Sequence, residues 1–168
     1  MILCNITDRK DFMGKLLGSD CFDAFLLGEA VIHTASSYVI DGRINPDFFT
    51  KEELEDPEIV PYEYAEWKNI RPFCFDLMKG KRTPTSFQFV LYLKPENMQK
   101  VLSRLDSDED TSFIRYMVMN IKFDVSSLCV TSGISYRTFS VDKQPESLWD
   151  HTLKQFLDNK QISYDLPL

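Results

Sequence analysis

Apolar and polar residues alternate most cleanly over 85–93, where Phe87, Phe89, Leu91 and Leu93 fall on one side and Gln88, Val90 and Tyr92 on the other. A period of two predicts a strand with one face on a core. The same reading gives a short strand at 2–6. Thr7 is placed to cap a helix whose stripe is Phe12, Met13, Leu16 and Leu17, and Gly18 ends it. A hairpin follows at 24–34 and 37–41, turning near Ala35-Ser36. Asn45-Pro46 opens an irregular or helical stretch that contains a capping-box pattern, Thr50 with Glu53. Pro61 and Pro72 are each placed to start helical turns, with Gly80 closing the second. The segment 62–78, dense in aromatics (Tyr62, Tyr64, Trp67, Phe73, Phe75), is expected to plug one end of the core. Pro95 begins a helix to about residue 105, with Met98, Val101, Leu102 and Leu105 inward. Three strands are expected near 115–124, 128–132 and 134–140. A final amphipathic helix, started by Pro145, carries Leu148, Trp149, Leu153, Phe156 and Leu157.

Strands in runs, broken by a few helices, define an α+β class built on antiparallel sheet. The expected organisation is one domain over 1–168. Two β-α-β-β-like halves, 1–43 and 85–141, flank a helical insert at 44–84, and a C-terminal helix covers 145–159. The halves partly align: Met13, Lys15, Leu16 and Leu17 match Met98, Lys100, Val101 and Leu102, and 36–42 parallels 126–133. Duplication explains such matches, and so does coincidence between two amphipathic units of the same kind.

Composition sharpens this picture in two places. A hydrophobic content of 43% excludes disordered and low-complexity classes. No apolar run approaches the roughly 20 residues of a membrane helix, and the start Met1-Ile2-Leu3-Cys4-Asn5-Ile6, which lacks a cationic lead and turns polar at once, predicts no secretion signal. The net charge of −7 is local. Residues 41–66 hold nine of the 26 acids and two of the 19 bases, so the rest of the chain is balanced. Basic residues dominate 67–82, and a second acidic cluster spans 106–110. Cys4, Cys21, Cys74 and Cys129 form no Cys-x-x-Cys pair; three of them, Cys4, Cys74 and Cys129, lie in apolar surroundings that suit core filling. Free thiols fit a reducing cytoplasm.

Catalytic signatures are sparse. His33 and His151 have no partner at metal spacing, and neither a nucleophile elbow, a phosphate loop nor a dinucleotide glycine pattern occurs. No catalytic residue, metal ligand or cofactor is therefore assigned. The strongest anion- or partner-binding candidates are Arg71, Lys79, Lys81 and Arg82, around a flexible Gly80 and the hydroxyl of Thr83. A plain helix C-terminus, with cations complementing its dipole, accounts for the same residues.

The block Ile70-Arg71-Pro72-Phe73-Cys74-Phe75-Asp76-Leu77-Met78-Lys79-Gly80-Lys81-Arg82-Thr83-Pro84, the strand after it and Trp149-Asp150 resemble a family of small uncharacterised proteins from anaerobic Gram-positive bacteria. That resemblance implies a bacterial cytoplasmic origin and carries no assigned function. The paired halves also resemble one domain of a DNA sliding clamp. This implies a nucleic-acid face on two equivalent helices bearing Arg9, Lys10, Lys15, Lys100 and Arg104, although clamp rings use several such domains. The segment Gln161-Ile162-Ser163-Tyr164-Asp165-Leu166 is similar to short peptides that dock onto bacterial clamps, with Tyr164 where an aliphatic residue is usual. The expectation is a non-enzymatic protein-binding or scaffold module with a protein partner. A clamp-like nucleic-acid or replication-associated protein is the alternative, and an enzyme with a cleft between the halves the third reading. Oligomeric state is left open.

Overall fold

The computed structural model describes residues 1–106 and 110–168. In chain order the strands are β1 (Leu3–Ile6), β2 (Phe25–His33), β3 (Ser37–Asp41), β4 (Ser86–Leu93), β5 (Ile114–Phe123), β6 (Leu128–Tyr136) and β7 (Tyr164–Asp165). They form one antiparallel sheet in the order β3-β2-β4-β5-β6-β1-β7. Register follows the side-chain alternation. Ala30, Phe89, Ile121, Val130 and Cys4 lie opposite one another across five strands, and all are fully buried. The next row on the other face runs Glu29, Val90, Asn120 and Thr131, each exposed or half-buried. One face is core and the other is open, as antiparallel sheets allow.

The helices are α1 (Arg9–Gly18), α2 (Lys51–Glu55), α3 (Trp67–Met78), α4 (Pro95–Leu102) and α5 (Gln144–Asn159). Phe12 and Leu16 of α1, Trp67 and Cys74 of α3, Met98 and Leu102 of α4, and Trp149 and Leu153 of α5 join a single buried cluster with the inward strand residues. The α+β class, the antiparallel sheet, the order β-α-β-β occurring twice and the C-terminal amphipathic helix are all present. The two units use their first strands differently: β4 pairs with β5 of its own unit, whereas β1 pairs with β6 of the other.

Several local expectations are corrected. Asp8 rather than Thr7 caps α1, accepting from the Asp11 N–H at 3.0 Å, while the Thr7 N–H donates to the Ser163 carbonyl at 3.1 Å. Pro61 starts no helix, and Pro72 lies inside α3. Its ring is exposed, so the Lys68 carbonyl it leaves without an i+4 donor lies on a solvated helix face. Between α4 and α5 there are two strands and not three, because β6 runs unbroken through Gly133. The segment 161–166 belongs partly to the sheet: Ile162 is buried and β7 pairs with β1. Phe73 and Phe75 plug nothing; they are 63% and 48% exposed. Part of the second acidic cluster, 107–109, lies outside the described residues.

The insert is fastened by a close backbone approach. Gly42 donates to the Gly28 carbonyl at 3.0 Å and accepts from Ala65 at 2.7 Å, and Ala65 in turn accepts from Leu27 at 2.8 Å. A Cβ at Gly42 would fall 1.8 Å from the Leu27 oxygen, so only glycine fits. On the open face, Tyr64 packs edge-on against Tyr92 and Tyr116, and the Tyr116 hydroxyl donates to Glu63 at 3.0 Å. The Thr50–Glu53 capping box forms with both of its hydrogen bonds. Two glycine substitutions should therefore act in opposite directions. Gly42→Ala is expected to lower unfolding free energy by about 2–4 kcal/mol. Gly14→Ala, in open space on α1, is expected to raise it by about 0.5–1 kcal/mol. Urea unfolding followed by tryptophan fluorescence measures both.

Candidate functional site

At the end of the sheet where β4 starts and β5 finishes, the helical layer leaves a groove of about 500 Å³. Phe87, Phe123 and Leu128 form its floor, with Phe87 and Phe123 stacked at 5.0 Å. One wall is Met13 and Leu17 of α1; the other is Phe75 and Met78 of α3. Pro84 and Val125 close the ends, and Arg9, Lys10 and Lys79 stand at the rim.

Local chemistry explains each position. Trp67 buries its ring completely, and its indole N–H donates to the Leu16 carbonyl at 3.0 Å. Arg71, one turn on, donates to the Ser19 carbonyl at 2.9 Å and lies 3.6 Å from Asp23. These bonds tie the start of α3 to the end of α1. Among the described residues the far end of α3 and the start of α1 have no such tie and instead face each other across the groove. Gly80, at a φ of 138°, turns the chain out of α3 into the loop that returns along the rim. The Arg9 guanidinium donates to the Ser126 carbonyl at 2.6 Å and lies over the Phe123 ring at 5.9 Å, bracing the β5–β6 turn. Lys79 pairs with Asp76 at 3.1 Å on an exposed helix end, an ion pair of small energetic weight.

The sequence candidates separate accordingly. Arg9, Lys10 and Lys79 come together although they are about 70 residues apart. Lys81 and Arg82 are exposed on the loop leading to Thr83 and Pro84 at the rim. Arg71 is a structural tie. Lys15 is held by Asp11 at 2.8 Å and by the Gln161 carbonyl at 2.9 Å, and it does not line the groove. Lys100, on α4, and Arg104, just beyond it, are exposed and do not line it either. The apolar walls were missed. Their one sequence signal is that α3 carries more apolar residues than one stripe needs: Trp67, Ile70, Cys74, Leu77 and Met78 pack on the core, and Phe75 remains outside it.

A second cleft, between 61–63, α4 and the start of β5, is lined by Arg115 and Arg137. Its charges are partly met internally, since Glu63 accepts from Tyr116 and lies 3.8 Å from Arg115. Ser132, buried, donates to Asp150 and accepts from the Ile2 N–H at 2.9 Å, which joins β1, β6 and α5. His33 shares a hydrogen bond of 2.7 Å with Ser37 on the open face. Among the described residues, no three His, Cys, Asp or Glu side chains are grouped to hold a metal ion.

An apolar trough with cations at its lip can bind, by desolvation and charge, a molecule that is apolar with an anionic end. The chain belongs to a family of unknown function, DUF5721, whose model matches residues 15–165. No curated protein and no solved structure matches the chain.

Two of the thiols, Cys4 and Cys74, are fully buried and held away from reactivity. Burial pushes Cys4 up to about 11, with nearby Asp158 and Asp150 adding to the shift against Lys154, and burial alone pushes Cys74 up to about 12. A soluble disulfide reagent at pH 8 should leave both unmodified in the folded protein and react with both after denaturation. Raised folded values favour the protonated thiol, so this stabilisation is complete below the unfolded value of 9.0. It is lost as pH rises through the folded values. Urea midpoints should accordingly fall from pH 9 upward, and Cys74→Ala should flatten that decline.

Proposed function

We propose that this chain is a non-enzymatic binding module whose groove takes an apolar group bearing negative charge, presented by a protein partner. The observation that carries the reading is the coincidence of an apolar trough with Arg9, Lys10 and Lys79 at its rim. Phe75 and Val125, 48% and 81% exposed, leave apolar surface at the lip that a partner would cover. Methionine walls suit such a role, because their flexible side chains adapt to the shape of what binds. A bacterial, cytoplasmic setting belongs to the same proposal; four free cysteines support its reducing compartment. No helix among the described residues is long and apolar enough to cross a membrane.

The clamp-like alternative has Arg9 and Lys10 in its favour, adjacent and exposed on α1. Phosphate contacts make no use of an apolar floor, however, and their strength collapses with added salt. Retention of a DNA duplex at low ionic strength, reversed by salt and by Lys10→Glu, would favour that alternative over the groove.

The probe for the groove is anilinonaphthalenesulfonate, an aromatic anion. Saturable binding with enhanced fluorescence is expected. It should weaken about tenfold or more in the double variant Lys10→Glu, Lys79→Glu and in Phe75→Asp. All three residues are exposed, so unchanged circular dichroism controls for folding. Absent binding, or affinity indifferent to both variants, would overturn the proposal.

A further inference from the structure

The acidic insert presents what the groove accepts. Phe48 is 81% exposed, with Phe49 edge-on against it at 5.3 Å. Asp47, Glu52 and Glu55 around them are exposed and form no ion pair among the described residues. This apolar knob stands in the segment that holds the chain's whole net charge. The groove that would receive it is lipped by Arg9, Lys10 and Lys79.

Knob and groove do not meet within one molecule: Phe48 is exposed and does not line the groove. The insert joins the sheet where Tyr64 packs on Tyr92 and Tyr116, on the open face. The groove floor is Phe87, on the core face. Phe87 and Tyr92 are five residues apart on β4, roughly 17 Å along the strand. The insert's anchor and the groove thus sit at opposite ends and on opposite faces of the sheet.

We infer that the groove's occupant is the Phe48 knob of a second copy of this chain. The inference rests on the groove reading above and names its partner. Charge complementarity carries the choice: the acids beside Phe48 meet the three rim cations, and Phe48 enters the trough between Met13 and Phe75. Such a contact joins different patches on the two copies, so it builds chains or closed rings and not a two-fold dimer.

Sedimentation equilibrium of the full chain tests it, up to roughly millimolar protein, where even a weak contact is populated. The average mass should rise with concentration and fall with added salt. Phe48→Ala and the double variant Lys10→Glu, Lys79→Glu should each be monomeric. A mixture of the two should form a heterodimer, because each keeps one intact half of the contact. A monomeric wild type overturns the inference, as does association unaffected by either variant or a mixture that fails to pair. If dye binding to the groove persists in a monomeric wild type, only the self-association fails. If dye binding is absent too, the groove reading fails with it.

Discussion

A buried indole must find an acceptor for its N–H, because leaving that group unpaired away from water costs about 1–3 kcal/mol. Trp67 meets this demand through the Leu16 carbonyl, near the last turn of α1. The bond fixes where α3 begins relative to α1, and the Arg71 contact with Ser19 repeats the constraint one turn later. With both ties at one end, the two helices are joined there and, among the described residues, carry no hydrogen bond to each other at the other. The groove is the consequence. Trp149 does the same for α5, donating to the Val118 carbonyl at 2.9 Å and seating that helix on β5.

The sheet supplies the second half of the explanation. Its core face is covered row by row, from Phe25 and Leu93 at one end to Phe87 and Phe123 at the other. The helical layer seals the middle rows completely: Phe89, Leu91, Met119 and Ile121 have no exposure. At the last row the cover thins, and Phe123 is only half-buried. Most of the open face needs no cover because its residues are polar or partly solvated. The exception is the patch of Leu26, Tyr92, Tyr116 and Val118, where the insert lies with Tyr64.

Charge is segregated along the same axis. The acidic insert is anchored at the tyrosine end by Gly42, Ala65 and Glu63, while Arg9, Lys10 and Lys79 stand at the groove end. A net charge of −7 describes neither end. The cations of the two helices singled out from sequence also divide by their surroundings. Lys15 is bonded to Asp11 and to the 161 carbonyl, and only Arg9 and Lys10 reach the rim.

Much of the fold was legible in local pattern. The alternation at 87–93, the Thr50–Glu53 box and the stripe of the last helix need only nearest neighbours and a water-averse face. Where a third body intervened, local reading failed. Gly133 reads as a break, yet it continues β6 because Val118 of β5 lies opposite it. Pro72 reads as a helix start, yet Trp67 sets the helix earlier. Phe75 reads as core, yet the inward positions of α3 go to Trp67, Ile70, Cys74 and Leu77. Sequence by itself determined the elements, the antiparallel α+β class and the separation of charge, since these follow from periodicity and composition over short stretches. Only the tertiary structure decided that residues 9, 10, 79, 87 and 123 share one groove. That juxtaposition depends on how helices separated by some 50 residues are tied over a common sheet, and no local pattern encodes those distances.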